Sequence, residues 1–259
     1  PPPGYMPPPM YMPPPGPRPS RRNAWTIITA IFGTLAGLVL AISLMLNLWL
    51  GVIVASQMEQ PVTETVWRAG DSSQRVVILP VTGMIDDNAT KFVRDAIDSL
   101  EANVPAAVVL RVDSGGGSVS ASDEIWHLLD SFHKKHPNVP LIASFGSMAA
   151  SGGYYISSAA DQIYASPQSI LGSIGVVGGK MTFKGLYDWA GVGIYRRERG
   201  PMASMFNSVE PFTPEQRDVI RRSMVQVYDQ FIDRVNIGRG KRISDIDKIA
   251  RGRLFTGEQ

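Results

Sequence analysis

The chain of 259 residues contains no cysteine and only three histidines. The lack of cysteine excludes disulfide bonds and thiolate metal sites, so cysteine usage gives no indication of the compartment. His127, His133 and His136 all fall in one short stretch beside Lys134 and Lys135, whose positive charges would repel a metal ion. We therefore expect no metal site and no cofactor.

The sequence also has little net charge. Its 25 Lys and Arg residues nearly balance 23 Asp and Glu residues, which leaves a formal charge of +2. Because this balance gives no general attraction to a polyanion, we expect no nucleic-acid partner. With 44% hydrophobic residues, the chain can form one sizeable domain and additional segments.

The sequence patterns at the two ends of the chain are not those of a complete folded domain. Residues 1–22 are rich in proline, which predicts an extended, disordered tail, with docking to a proline-binding partner as the alternative. The chain does not begin with Met, and near its end Thr256 and Glu258 have the pattern that opens a helix. We therefore expect a fragment, truncated at the C-terminus.

A long apolar run follows the tail. Residues 24–55 carry no charged side chain, and about 20 apolar residues suffice to cross a bilayer core. We therefore assign 23–55 to one transmembrane helix, with Trp25 and Trp49 as interfacial anchors. A buried helix of a soluble domain is the alternative. Arginines precede the run and glutamates follow it, so the positive-inside rule places the N-terminus in the cytoplasm.

The remaining chain predicts a linker over 56–75 and an α/β domain over 76–259. Short β-branched apolar runs alternate with segments of helical spacing, an order typical of a mostly parallel sheet with flanking helices. The four predicted strands are RVVILPVTGMI, AAVVLRVD, PLIASFG and DQIYASP. A long amphipathic helix is predicted over 214–238, with Thr213 as N-cap and Gly238 as C-cap.

Two glycine-serine turns follow neighbouring strands of this predicted sheet. Gly115, Gly116 and Gly117 expose backbone N–H groups that suit a phosphate site, an oxyanion hole or an ordinary tight turn. The second turn, SMAASGGYYISSAAD, surrounds Ser151 with small residues at a strand-to-helix junction. Small neighbours serve either close backbone packing or close approach of a substrate. Together the two turns predict a nucleophile, Ser151, facing oxyanion donors.

Three motifs then indicate a family. RVDSGGGSVSASDEI, SMAASGGYYISSAADQIYASPQSILGSIGV and PFTPEQR together resemble the SppA (signal peptide peptidase A, protease IV) family of membrane-anchored serine peptidases. The resemblance implies a ClpP/crotonase-like α/β fold, assembly into a homo-oligomeric ring or dome, and a Ser-Lys dyad. It also implies cleavage of signal-peptide remnants at the bacterial inner membrane, with the catalytic domain on the outer side.

By position, the resemblance makes Ser151 the nucleophile, Gly116 and Gly117 the oxyanion site, and Ser173 the serine that supports the base. Two positions depart from the family pattern. Gly115 stands where the family loop usually has proline, which loosens the loop. The family lysine is missing, because Ala203 occupies its position 52 residues after Ser151.

Three interpretations therefore stay open. The first is an SppA-like peptidase that uses a different base, for which Lys180 and Lys184 are the lysines available between Ser151 and PFTPEQR. Arginine cannot replace the lysine, since guanidinium does not deprotonate in proteins. The second is an inactive homologue that keeps the groove for peptide binding or assembly. The third is a crotonase-like acyl-CoA enzyme, which would need neither Ser151 nor a membrane span.

Overall fold

The computed structural model describes Gly4 and residues 24–56, 62–71, 74–240 and 242–259. Apart from Gly4, the predicted proline-rich tail of residues 1–22 lies outside the described residues. The chain divides into two compact units, Pro1–Gln60 and Pro61–Gln259.

One long helix, α1 (Ala24–Ser56), forms the described part of the first unit. Its segment Trp25–Ile53 has a mean hydropathy of 2.4 over its most apolar part, and none of that part is buried. By length and composition, this segment is able to cross a membrane. The predicted N-terminal apolar helix is therefore present.

Up to residue 164 the second unit alternates strands and helices in the predicted order, and of the later elements only the long helix was predicted. The elements are β1 (Val76–Ile85), α2 (Asp87–Ala102), β2 (Ala107–Gly117), α3 (Val119–Lys135), β3 (Leu141–Ala150), α4 (Gly152–Ser157), β4 (Gln162–Tyr164), β5 (Ile170–Gly172), α5 (Lys184–Trp189), α6 (Pro214–Arg239), α7 (Ile246–Ile249) and β6 (Leu254–Thr256).

The strands form one sheet in the order β1-β2-β3-β5-β6, with β4 also paired to β3. All pairs are parallel except β5 with β6, which is antiparallel. The predicted fold class, a mostly parallel sheet with flanking helices, is therefore confirmed. Because β2 and β3 are parallel neighbours, their carboxyl ends lie at the same edge of the sheet, where the two glycine-serine turns begin.

The core has two parts. The larger part packs α2 and α3 on the sheet, and Val108, Leu110 and Val112 of β2 are fully buried there. The smaller part joins α3, α4, α6 and α7 through a cluster of mostly aromatic and aliphatic residues that includes Trp126, Tyr155, Phe231 and Val235. This second cluster fixes α6 next to the helix that follows Ser151.

One local prediction was wrong, and the structure defines one further helix cap. The N-cap of α2 is Asp86, whose carboxylate accepts hydrogen bonds from the backbone amides of Asn88 and Ala89. Helix α6 does not end at Gly238 but continues to Arg239, with Gly240 as its cap. Gly238 lies inside the helix, where a Cβ would lie 1.9 Å from the carbonyl oxygen of Ser158. Its missing side chain lets α6 approach α4.

Candidate active site

Gly115, Gly116 and Gly117, predicted to lie in a turn after the strand, are part of β2 itself. They continue the strand, where Gly116 pairs with Met84 and Gly117 with Ile85 after a bulge in the β1–β2 register. Gly116 has a φ of 107°, and a Cβ on Gly117 would lie 2.1 Å from the Ile85 carbonyl oxygen. Only glycine fits these two positions, because one needs a left-handed backbone and the other leaves no space.

Ser151 occupies a sharp junction between β3 and α4. Its φ and ψ are 50° and −120°, a conformation that L-residues rarely adopt and that costs about 1–3 kcal/mol. The backbone N–H of Ser151 donates to the Gly172 carbonyl at 2.9 Å, which fixes the junction against β5. Its hydroxyl neither caps α4 nor makes a hydrogen bond with any other described residue.

The two glycine-serine segments meet in space. A Cβ on Gly116 would lie 2.7 Å from Ser151 Cβ and 3.1 Å from Ser151 Oγ. A Cβ on Gly152 would lie 3.3 Å from both Gly116 Cα and Gly117 N. The structure therefore brings Ser151, Gly116 and Gly117 together, as the sequence predicted.

The backbone N–H groups around Ser151 are not equally free to donate a hydrogen bond to an oxyanion. The Gly116 N–H donates to Ser114 Oγ at 3.0 Å, so it would serve as an oxyanion donor only if that hydrogen bond broke. The N–H of Gly152 belongs to the first residue of α4, where no intrahelical acceptor exists. Sequence reasoning missed Gly152, although a serine at an N-cap position always places the next amide beside its own side chain.

A carboxylate on β2 ties the two segments together. Asp113 Oδ1 accepts a hydrogen bond from the Met148 backbone N–H at 3.1 Å. Gly146 leaves room for this carboxylate, since a Cβ there would lie 2.6 Å from Asp113 Oδ2. Asp113 thus holds the end of β3, which carries Ser151, against β2. Sequence reasoning also missed this role.

A groove of about 720 Å³ opens beside Ser151. One wall consists of a face of α6 that includes Met224, Val225 and Phe231. Ser173 lines the same groove, with a φ of 49°, and its backbone N–H donates to the Arg253 carbonyl at 2.7 Å. The structure thus places Ser173 in one cavity with Ser151.

Neither predicted lysine lies in this groove. Lys180 Nζ donates to the Met205 carbonyl at 2.9 Å and lies 4.4 Å from the centre of the Phe212 ring. Lys184 forms an ion pair with Asp188 on α5. Ala203 is exposed in a run of turns over 201–206. Among the described residues, no lysine or histidine lines the groove that contains Ser151.

A charged network lies under the groove and joins α3, α4 and α6. Tyr155, whose ring lines the groove, donates its hydroxyl hydrogen to Asp123 Oδ1 at 2.6 Å. Arg234 pairs with the same carboxylate at 3.1 Å and lies 4.0 Å from the centre of the Trp126 ring. Burial and the Asp123 hydrogen bond raise the pKa of Tyr155, so its phenol stays protonated. The network therefore positions the three helices relative to one another.

Several known proteins are similar in sequence to this chain. A Synechocystis protein named as a protease is 31% identical over 195 residues, which cover 75% of this chain and 69% of that protein. The model of peptidase family S49 matches residues 133–259. The chain belongs to peptidase family S49. The match begins within α3 and includes Ser151, Ser173 and all of α6.

Two further relatives are also named as peptidases or proteases. A signal peptide peptidase SppA of Enterococcus faecium is 30% identical over 76% of this chain and 60% of its own length. Protease 4 of Salmonella typhi is 37% identical over 66% of this chain, which spans only 27% of that protein.

A second family model, the N-terminal domain of NfeD1b, matches residues 75–184. Among solved structures, the 1510-N membrane-bound stomatin-specific protease has a TM-score of 0.42 at 14% identity, covering 72% of this chain and 75% of that one.

Proposed function

We propose that this S49 protein is a membrane-anchored serine peptidase with Ser151 as its nucleophile. The observation that carries the proposal is the geometry of Ser151, which has a strained backbone, an unpaired hydroxyl and the glycine segment of β2 in direct contact. Strain of this kind concentrates at functional sites because the surrounding structure must hold it in place. An ordinary helix-capping serine would bond to the helix amides, and Ser151 does not.

In this proposal Ser151 Oγ attacks the carbonyl carbon of a peptide bond held in the groove. The carbonyl oxygen becomes negative in the tetrahedral intermediate, and backbone N–H groups beside Ser151 stabilise it. Gly117 and Gly152 are the donors we favour, since the Gly116 N–H already has an acceptor in Ser114. Ser173 lies in the same groove and would bond to the group that takes the hydroxyl proton.

The groove and the apolar helix together define the proposed substrate. Valine, methionine and phenylalanine side chains line most of the α6 wall, which suits apolar peptides. A site tethered by α1 would meet peptides that leave the bilayer, so we propose signal-peptide remnants and similar apolar peptides as substrates. We place the catalytic unit on the outer side of a bacterial inner membrane, with the N-terminus in the cytoplasm.

We also propose that the protein is a homo-oligomer. The segment 176–212 has little regular structure and carries large apolar side chains in solvent, among them Val177, Trp189 and Tyr195, which are at least 85% exposed. Exposed apolar residues this numerous are typical of surfaces that pack against another protein. A second copy of the chain is the partner that the family resemblance implies.

An inactive homologue is the second candidate function. One observation favours it: no lysine or histidine among the described residues lines the groove, and Ala203 stands at the family's lysine position. Without a base the hydroxyl of Ser151 remains a weak nucleophile. The groove would then bind peptides without cleaving them.

A fluorophosphonate probe, which reacts with activated serines, separates these candidates. The full chain in detergent is compared with Ser151→Ala, with Ala203→Lys, and with Ser208→Lys as the control that adds a lysine to the same segment. Labelling of the unmodified chain that Ser151→Ala abolishes would support the peptidase. Labelling that appears only in Ala203→Lys would support the inactive homologue. If neither the unmodified chain nor Ala203→Lys is labelled at Ser151, the nucleophile role is wrong.

A further inference from the structure

The α6 wall of the groove ends in a positive charge that no described acidic residue neutralises. The residues of α6 that line the groove share one helical face, and they are Arg221, Met224, Val225, Val227, Tyr228 and Phe231. The Arg221 side chain is exposed. Among the described residues, no hydrogen bond or ion pair joins its guanidinium to a carboxylate. We infer that Arg221 binds a carboxylate of the peptide held in the groove, an inference that rests on the proposed peptidase function.

Charge in the groove supports this assignment. Only two of its described lining residues are charged, and both are arginines, Arg221 and Arg251. Arg251 is already paired with Asp247 at 2.7 Å, while Asp247 does not line the groove. Of these two arginines, Arg221 is therefore the one whose charge can pair with a ligand. A guanidinium suits a carboxylate because its planar N–H groups match the two carboxylate oxygens.

The helix also sets where that carboxylate lies. Phe231 packs on Tyr155 with 4.8 Å between ring centres, and the Tyr155 N–H donates to the Ser151 carbonyl one turn earlier. The Phe231 end of the α6 face is thus the end near Ser151. Arg221 precedes Phe231 by ten residues, which is about 15 Å along a helix.

An extended peptide covers this length in about four or five residues, at about 3.3 Å per residue. Between the two ends the wall is mostly apolar, with Met224, Val225 and Val227 among its residues. The preferred ligand is therefore a short apolar segment with a carboxylate about four or five residues from the position beside Phe231. A Glu or Asp side chain and a free peptide C-terminus both supply this group.

Binding of fluorescent peptides tests the inference without requiring cleavage. The protein is the full chain with Ser151→Ala in detergent micelles, and the readout is fluorescence anisotropy. One set of eight-residue apolar, C-terminally amidated peptides carries a single Glu at successive positions, and a matched set carries Gln. A third set has no acidic side chain but a free C-terminal carboxylate. Arg221→Gln is compared with Arg222→Gln, which removes the adjacent exposed arginine that does not line the groove.

We expect at least one carboxylate peptide to bind about tenfold more tightly than its neutral counterpart, the size of one charge-assisted hydrogen bond at a partly solvated site. Arg221→Gln should remove this preference, and Arg222→Gln should keep it. A preference in the Glu set or in the free-carboxylate set identifies which source is recognised.

Two results would overturn the inference in different ways. If the peptides bind but Arg221→Gln leaves every carboxylate preference unchanged, the role of Arg221 is wrong and the peptide groove stands. If no peptide of any set binds, the proposed peptide groove fails and the inference fails with it.

Discussion

Replacing Gly152 by alanine tests the contact between the Ser151 turn and the glycine segment. The new Cβ would lie 2.4 Å from Ser122 Oγ and 3.3 Å from both Gly116 Cα and Gly117 N. Since one of these neighbours is a short side chain and the others are backbone, α4 has to move away from β2 and α3. Such overpacking costs about 1–3 kcal/mol. At about 2–4 °C per kcal/mol for a domain of this size, we expect the melting temperature to fall by about 2–12 °C.

The Ser122 hydroxyl makes the prediction specific. Ser122→Ala removes the closest clash and also the hydrogen bond to the Ser118 carbonyl at 2.8 Å, a loss of about 1 kcal/mol. In the double variant the new Cβ at position 152 no longer clashes with the Ser122 hydroxyl oxygen. The double variant should therefore be more stable than the sum of the two single effects predicts, by about 1 kcal/mol.

Thermal unfolding of the full chain in detergent, followed by tryptophan fluorescence, measures these differences. Gly185→Ala is the matched control, because that glycine lies in α5 and a Cβ there meets no atom within 4 Å. We expect the control to melt at or slightly above the temperature of the unmodified chain. Strictly additive effects of the two substitutions, or a Gly152→Ala variant as stable as the control, would refute the close packing described for Gly152 against Ser122 and Gly116.

Two further predictions concern α6 and the network beneath the groove. Gly238→Ala places a Cβ 1.9 Å from the Ser158 carbonyl oxygen and should lower the melting temperature by several degrees, at about 2–4 °C per kcal/mol, whereas Gly185→Ala should not. Burial raises the pKa of Asp123, but the hydrogen bonds from Tyr155 and Arg234 outweigh burial and hold that pKa below its ordinary value. A depressed pKa in the folded state gives stability that is present above the unfolded-state pKa of about 3.9 and lost as the pH falls. The unmodified chain should therefore lose more stability between pH 5 and pH 3 than Asp123→Asn, and equal losses would contradict this.

The fold was predictable because its sheet is parallel and buried. The apolar runs of β1, β2 and β3 are short and continuous, and helical spacing separates them, which leaves few alternatives to a parallel α/β arrangement. The meeting of Ser151 with Gly116 and Gly117 was predictable for the same reason, since the carboxyl ends of neighbouring parallel strands share one edge. The roles assigned to these residues, and to Ser173, remain predictions.

The details that sequence reasoning missed depend on contacts between distant segments. Gly238 has the position and identity of a C-cap, and only the carbonyl of Ser158, eighty residues earlier, explains why this position inside the helix needs glycine. Asp113 follows a strand like many aspartates, and its bond to the Met148 amide becomes visible only when β2 and β3 are side by side. No local pattern in the sequence encodes either contact.

The small residues around Ser151 have two causes, and the structure separates them. Gly152 and Gly153 face protein atoms, since a Cβ on either would lie within 3 Å of Ser122 Oγ or of the Ser114 carbonyl oxygen. Close packing therefore explains both glycines, and an inactive homologue would keep them too. Packing does not explain the left-handed backbone of Ser151 or its unpaired hydroxyl beside an open groove. Chemistry at this site must be argued from those two features, because the glycines alone would be required by any protein that packs α4 this closely on β2.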